Sequence, residues 1–146
     1  MNLFQFKNFQ VLADYAHNPA GFKVLQAYVN KVEASKKIGI IAGTGDRRDE
    51  DIRALGSIAA QMFDEIIIRQ DKHLRGRTVE NIVELLQEGI NSVNKNSKVK
   101  VILKELEAID YAVKNAPKDS FIVICSDVIT DALAYIQKLK NDEDTQ

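Results

Sequence analysis

The 146-residue sequence holds one cysteine, two prolines, two histidines and no tryptophan. A lone thiol cannot close an internal disulfide, so packing rather than a covalent framework must hold the fold. Cys125 lies in an apolar run and is expected to be a small core residue, which argues against a nucleophilic role. His17, His73 and the scattered carboxylates lack the spacing of a ligand set, so no metal site is expected. No apolar run approaches the ~20 residues of a membrane span. The opening Met1-Asn2-Leu3-Phe4 lacks the basic segment and long apolar run of a signal peptide. No membrane partner and a cytoplasmic location are the resulting expectations. The formal net charge of −1 gives no general attraction to nucleic acid. No Gly-x-x-x-x-Gly-Lys-(Ser/Thr) loop occurs, so an intact ATP site is not encoded within these residues.

What is present suits a water-facing α/β domain. The hydrophobic fraction is 45% and the charged fraction 28%, and the length is that of one domain, residues 1–146, with 140–146 a frayed polar tail. Leu3 to Phe6 alternates, Lys7-Asn8 interrupts, and Phe9 to Ala13 resumes, the pattern of a short antiparallel hairpin. The segments 38–42, 65–69 and 121–125, apolar at their centres, read as strands buried on both faces. Val99 to Leu103 reads as a further strand. Between them, helical stripes run through Phe22, Leu25, Val29 and Val32, then Ile52, Leu55, Ala59 and Met62, then Val79, Ile82, Leu86 and Ile90. Two more run through Leu106, Ile109 and Val113, and through Ile129, Leu133, Ile136 and Leu139. The alternation predicts a three-layer, Rossmann-like, mostly parallel sheet of about six strands, with helices on both faces and the first strand or hairpin antiparallel. Right-handed crossovers then bring the turns at 14–18, 43–49, 70–77 and 126–127 to one rim.

That rim carries the residues with chemistry to offer. Asn18-Pro19 is a helix start, with Asn18 as N-cap and Pro19 at the first position. Asp14 and His17 therefore sit at the C-terminal end of a strand, where open α/β sheets place ligands. They have two readings: a strand-end carboxylate capping amides beside a surface histidine, or a carboxylate for ribose hydroxyls and an imidazole for a phosphate oxygen. Tyr15 lines the site or packs. Gly43-Thr44-Gly45 is a turn rather than a phosphate loop, because Asp46 and Arg47 follow where a lysine is required. Asp49 and Glu50 suit the positive end of the following helix, whereas Arg47 or Arg48 calls for an anion: a substrate carboxylate, a phosphate or a carboxylate within the loop. The stretch Asp71-Lys72-His73-Leu74-Arg75-Gly76-Arg77 is a flexible basic loop or a grip for a zwitterion. Ser126 is expected to cap the last helix.

Asp14-Tyr15-Ala16-His17-Asn18-Pro19 resembles the Asp-Tyr-Ala-His-(Asn/Thr)-Pro signature that opens the C-terminal domain of Mur ligases, and folylpolyglutamate synthetases carry a related form. Gly45-Asp46-Arg47-Arg48-Asp49 resembles the Gly-Asp-Arg-Arg-Asp of the cyanophycin synthetase branch. The 71–77 loop sits where many Mur ligases have Asp-Asn-Pro-Arg. It departs from that tetrapeptide and is similar to the cyanophycin synthetase version.

The resemblance implies the C-terminal domain of an ATP-dependent amide ligase. Such a domain closes over the nucleotide of a central P-loop ATPase domain, with which it shares ATP and Mg²⁺, and presents an amino acid, arginine in the cyanophycin case. A carboxylate is phosphorylated there and an amine attacks it. The resemblance places Asp14, Tyr15, His17 and Asn18 at the nucleotide. It places Gly45, Asp46, Arg47, Arg48, Asp71, Lys72, Arg75 and Arg77 at the substrate, and no catalytic residue in the isolated chain. A nucleotide- or amino-acid-binding module without catalysis, and an interaction domain with relic loops, are the competing readings.

Overall fold

The computed structural model describes residues 1–43, 48–71, 74–126 and 129–145. The strands are β1 (Asn2–Gln5), β2 (Phe9–Asp14), β3 (Lys37–Ile41), β4 (Glu65–Ile68), β5 (Lys98–Val101) and β6 (Ser120–Cys125). The helices are α1 (Pro19–Val29), α2 (Asp49–Met62), α3 (Val79–Val93), α4 (Glu105–Asn115) and α5 (Thr130–Asp144). One sheet of six strands has the order β1-β2-β6-β3-β4-β5. β1 runs antiparallel to β2, and every other neighbouring pair is parallel. The expected fold class is the one observed.

The chain steps outward from β2 to β3, β4 and β5, with α1, α2 and α3 packed in one apolar layer around Phe22, Leu55 and Leu86. It then returns to β6, and α4 and α5 pack in the other layer around Ile109, Ala132 and Ile136. That reversal leaves the C-terminal ends of β2, β6 and β3 at the topological switch point. Burial follows position in the sheet. β4 and β6 are buried at every residue, whereas edge strand β5 is largely exposed, as alternating Lys98-Val99-Lys100-Val101 dictates. α2 and α3 cross with their backbones almost touching. A Cβ at Gly56 would strike the carbonyl of Leu86, and one at Gly89 the carbonyl of Arg53. This close crossing fixes where both helices begin, and both begin at the rim.

Three expectations need correction. Leu106 does not face the core: it is 43% exposed, and the buried stripe of α4 is Ala108, Ile109 and Ala112. The small side chains let α4 approach the sheet, and Leu106 is left on the outer side. Ser126 does not cap α5, which starts at Thr130 with Ile129 at the cap and no side-chain cap bond. Ser126 instead continues the pairing of β6 with β2, its N–H donating to the Asp14 carbonyl at 3.0 Å, and is itself buried. Past Asn141, where fraying is expected, α5 remains helical to Asp144. Lys140 pairs with Asp144 at 2.9 Å, and Glu143 accepts from the Lys7 N–H at 3.0 Å.

Candidate functional site

The turn after β2 is built by its own residues. Asp14 Oδ2 accepts from the Ala16 N–H at 3.1 Å, and the Asn18 side chain accepts from the Gly21 N–H at 2.8 Å. Pro19 follows at the first helical position. Asn18 is thus the N-cap, and its oxygen is occupied by α1. Asp14 caps an amide and still presents Oδ1, 3.9 Å from the Met1 nitrogen, with its side chain 14% exposed. Both readings of this aspartate are compatible with that geometry. His17 Nδ1 lies 2.8 Å from the Tyr15 carbonyl. A carbonyl only accepts, so Nδ1 carries the hydrogen and Nε2 faces outward. Nε2 can then donate to a phosphate oxygen only in the imidazolium form. Tyr15 is exposed rather than packed. Together with Gly21 and Val24 these residues border a hollow of about 300 Å³.

Of the second turn, Thr44, Gly45, Asp46 and Arg47 lie outside the described residues. Arg48 is described, and it is committed locally: its guanidinium lies 2.8 Å from Glu50 and 3.2 Å from Asp51. These carboxylates hold its charge up. The anions beside Arg48 are therefore two carboxylates of the first turn of α2.

In the third turn Lys72 and His73 lie outside the described residues. Asp71 is buried at 6% exposure. Arg75 takes the left-handed backbone conformation, φ 53°, with Gly76 at φ 86° following. These two bend the loop back toward α3, where Thr78 caps the helix by accepting from the Asn81 N–H at 3.0 Å. Arg77 is used structurally. It lies 2.7 Å from Asp49 at the start of α2 and donates to Asn81 at 2.8 Å. Arg75 is exposed. Of the pair, Arg75 is the one presented outward. Beside the loop opens a cleft of about 520 Å³, lined by Arg69, Asp71, Leu103, Glu105, Leu106, Glu107 and Asp131 among others.

These turns meet. Ser126 bonds to Asp14, Arg69 Nη2 donates to the Cys125 carbonyl at 2.9 Å, and the Arg69 N–H donates to the Ile41 carbonyl at 2.9 Å. Arg77 then ties the third turn to α2. The Asp14–His17 turn and the arginine-bearing turns therefore lie along one border. A hollow of about 220 Å³ around Asn8, Glu33 and Asp119 sits at the opposite edge of the sheet, away from all of them.

Arg69 and Glu105 are absent from the residues the sequence singles out. The available signal was an arginine directly after Ile66-Ile67-Ile68, a charge where a buried strand reaches the rim. Cys125 is buried, and burial first, with Asp14 adding, pushes its thiol up to about 12 against the opposing pull of Arg69. A thiol so held is inert at neutral pH. Among the described residues no group of three His, Cys, Asp or Glu side chains could hold a metal ion. No helix among them is long and apolar enough to cross a membrane.

Residues 1–128 match the family model described as "Mur ligase, glutamate ligase domain". Cyanophycin synthetase from Geminocystis herdmanii is 43% identical over 138 residues, covering 94% of this chain and 16% of that protein. The cyanophycin synthetase from a Nostoc species is 39% identical over 137 residues, covering 94% and 15%. A UDP-N-acetylmuramoyl-L-alanyl-D-glutamate–2,6-diaminopimelate ligase from Buchnera aphidicola is 33% identical over 116 residues, covering 79% and 22%. A solved ligase of that last name superposes with a TM-score of 0.78 at 17% identity, over 95% of this chain and 31% of that one. Escherichia coli FolC in complex with ADP gives 0.69 at 19% identity, over 90% and 30%. At these identities the solved structures share the fold. The chain spans about a sixth of the length of the cyanophycin synthetases it matches.

Proposed function

Because the chain belongs to the Mur ligase C-terminal domain family, we propose that it is the closing part of an ATP-dependent amide ligase of the cyanophycin synthetase type. Its rim completes a nucleotide site begun on a central P-loop domain and presents the amine substrate to it. The observation that carries this reading is the hydrogen-bonded path joining the Asp14 turn to the Asp71–Arg77 loop through Ser126, Cys125 and Arg69. It brings a nucleotide-facing and a substrate-facing turn to one border.

The residues present fit half of an ATP site. Asp14 offers Oδ1 for a ribose hydroxyl, and His17 offers Nε2 for phosphate when protonated. Tyr15 offers an exposed ring, while the Asn18 side chain stays with its helix cap. The described residues hold no carboxylate cluster for Mg²⁺, which on this reading sits on the central domain. ATP, when bound, supplies the phosphoryl group that activates the substrate carboxylate. The residues of this chain bind, orient and exclude water, as closing domains do.

The amine substrate on this reading is an amino acid. Arg75 is the candidate for its α-carboxylate, with Gly45, Asp46, Arg47 and Lys72 bordering the same loops in sequence. The cleft beside this loop carries four carboxylates, Asp71, Glu105, Glu107 and Asp131, against two cations, Arg69 and Lys104, a balance that suits a cationic amino acid such as arginine. The test is the complete reading frame assayed for ADP release with ATP, Mg²⁺, a carboxylate acceptor and a panel of amino acids. Amide formation dependent on one of them supports the ligase. A frame with no P-loop domain and no turnover would leave a binding module.

A further inference from the structure

A buried arginine lies on the path between the two sides of the rim, and the proposed function gives it no contact with nucleotide or substrate. Arg69 follows β4 and is 5% exposed. Its Nη2 donates to the Cys125 carbonyl at the end of β6 at 2.9 Å, and its Nη1 to the Gln70 carbonyl at 3.3 Å. Its backbone N–H donates to Ile41 at the end of β3 at 2.9 Å. Its Nε is buried without a hydrogen-bond acceptor, although Glu105 Oε2, at the start of α4, lies 3.2 Å away. The distance makes this a charge pair, and the missing hydrogen bond means that the N–H is not aimed at the carboxylate. One side chain thus reaches the ends of β4 and β6 and the turn after β5. Ser126, next in chain to Cys125, extends the path to Asp14.

Stability alone does not call for this. Desolvating a guanidinium costs about as much as its pairing contributes, and an apolar residue of similar volume would serve a core as well. The planar fork does something an apolar chain cannot: it fixes the direction and spacing of the Cys125 carbonyl at the end of β6 relative to the Gln70 carbonyl just past β4. One carbonyl ends β6, the strand paired with β2 beside the nucleotide-facing turn, and the other belongs to the residue that opens the substrate-facing loop.

We infer that Arg69 is a positioning residue for the ligase reaction: clamped against Glu105, it sets the described residues of the substrate loop, 70–71 and 74–77, relative to the nucleotide-facing turn at 14–18. The inference rests on the proposed function for its kinetic consequence and on this chain alone for its structural one. Lysine does not replace it, because a compact ammonium lacks the planar fork whose two nitrogens reach the Cys125 and Gln70 carbonyls separately.

The first measurement is amide hydrogen exchange on the 146-residue chain with Arg69→Lys and, separately, Glu105→Gln. Two reporter amides flank the clamp: Ser126, bonded to Asp14, and Arg77, bonded to Leu74. Phe63, bonded to Ala59 at the opposite edge of the sheet, is the reference. Arg69→Lys is expected to speed exchange at both reporters at least tenfold with Phe63 within twofold. Glu105→Gln, which frees the guanidinium on one side only, should give a smaller change with the same pattern. Uniform acceleration including Phe63, or acceleration at one reporter only, overturns the inference. In the complete ligase, Arg69→Lys is expected to raise the amine KM at least tenfold and to lower kcat, with the ATP KM within threefold. A kcat loss with both KM values unchanged would mark a merely structural residue and also overturn it. If no ATP-dependent amide formation exists at all, the proposed function fails, and the exchange result still decides the clamp.

Discussion

Asp14→Asn separates the two duties of the carboxylate that ends β2. In the fold, Oδ2 accepts one hydrogen bond from Ala16, and the side chain is 14% exposed. Asparagine keeps an oxygen for that amide, so the stability cost should stay near or below 1 kcal/mol. For a domain of this size that is a fall in Tm of about 3 °C. At the nucleotide the loss is larger. Hydrogen bonds to a charged acceptor contribute about 1.5–3 kcal/mol against about 0.5–1.5 for a neutral one. The ribose hydroxyl on Oδ1 that loses the charge therefore forfeits roughly 1–1.5 kcal/mol, or about 5- to 13-fold in kcat/KM for ATP. The assay pairs thermal unfolding of the isolated chain with ADP release by the complete ligase. Asp14→Ala is the control. It removes the Ala16 bond as well, so it should lose about 1 kcal/mol more stability with at least the same loss of activity. If Asp14→Asn keeps ATP turnover within threefold, or lowers Tm by more than ~10 °C, the carboxylate serves the turn rather than the nucleotide.

The two arginines of the third turn should part company. Arg75→Ala is expected to leave Tm within about 1 °C and to raise the amine KM by 10- to 100-fold, the range of a lost charge-assisted bond. Arg77→Ala, which cuts the contacts to Asp49 and Asn81, should lower stability by about 1 kcal/mol, because the pair is partly exposed, and affect KM less. The reverse pattern would assign the substrate to Arg77. Cys125 supplies a pH prediction. Its folded thiol is raised from 9.0 to about 12, so the neutral thiol favours the folded state. That stabilisation is complete below about pH 9 and is lost as pH climbs from there toward 12. Unfolding titrations should show a steeper alkaline loss for the natural chain than for Cys125→Ala, and thiol reagents should label the native protein only as fast as it opens. Rapid labelling at pH 8 would contradict the burial.

The sheet was legible because periodicity reports burial directly. The all-buried Ile66-Ile67-Ile68 and Phe121 to Cys125 announce inner strands, and the Asn18-Pro19 start announces α1. The rim was legible as well, since parallel topology leaves only one edge for strand-to-helix turns. What the sequence did not disclose are choices between chemically similar neighbours. Whether Arg75 or Arg77 points outward depends on Asp49, brought close by the α2–α3 crossing at Gly56 and Gly89. Arg48 is paired with the carboxylates two and three positions on, so the first turn of α2 supplies its counter-ions. Ser126 has the chemistry of an N-cap, but α5 starts only at Thr130, and Ser126 extends the β6–β2 ladder through its N–H to the Asp14 carbonyl. Leu106 matched a helical stripe that Ala108 and Ala112 fill, because closeness to the sheet outweighed side-chain size. Arg69 was passed over because an arginine in a buried position depends on partners from three distant segments.

Calorimetric titration of ATP–Mg²⁺ into the isolated chain tests most directly whether the rim is half of a site. Two or three polar contacts on an open border support no more than about 4 kcal/mol, a Kd near 1 mM or weaker. Heat too small to fit at 100 μM nucleotide is the predicted result. Saturable binding at micromolar Kd would contradict the account, for the chain would then hold its nucleotide without any other domain.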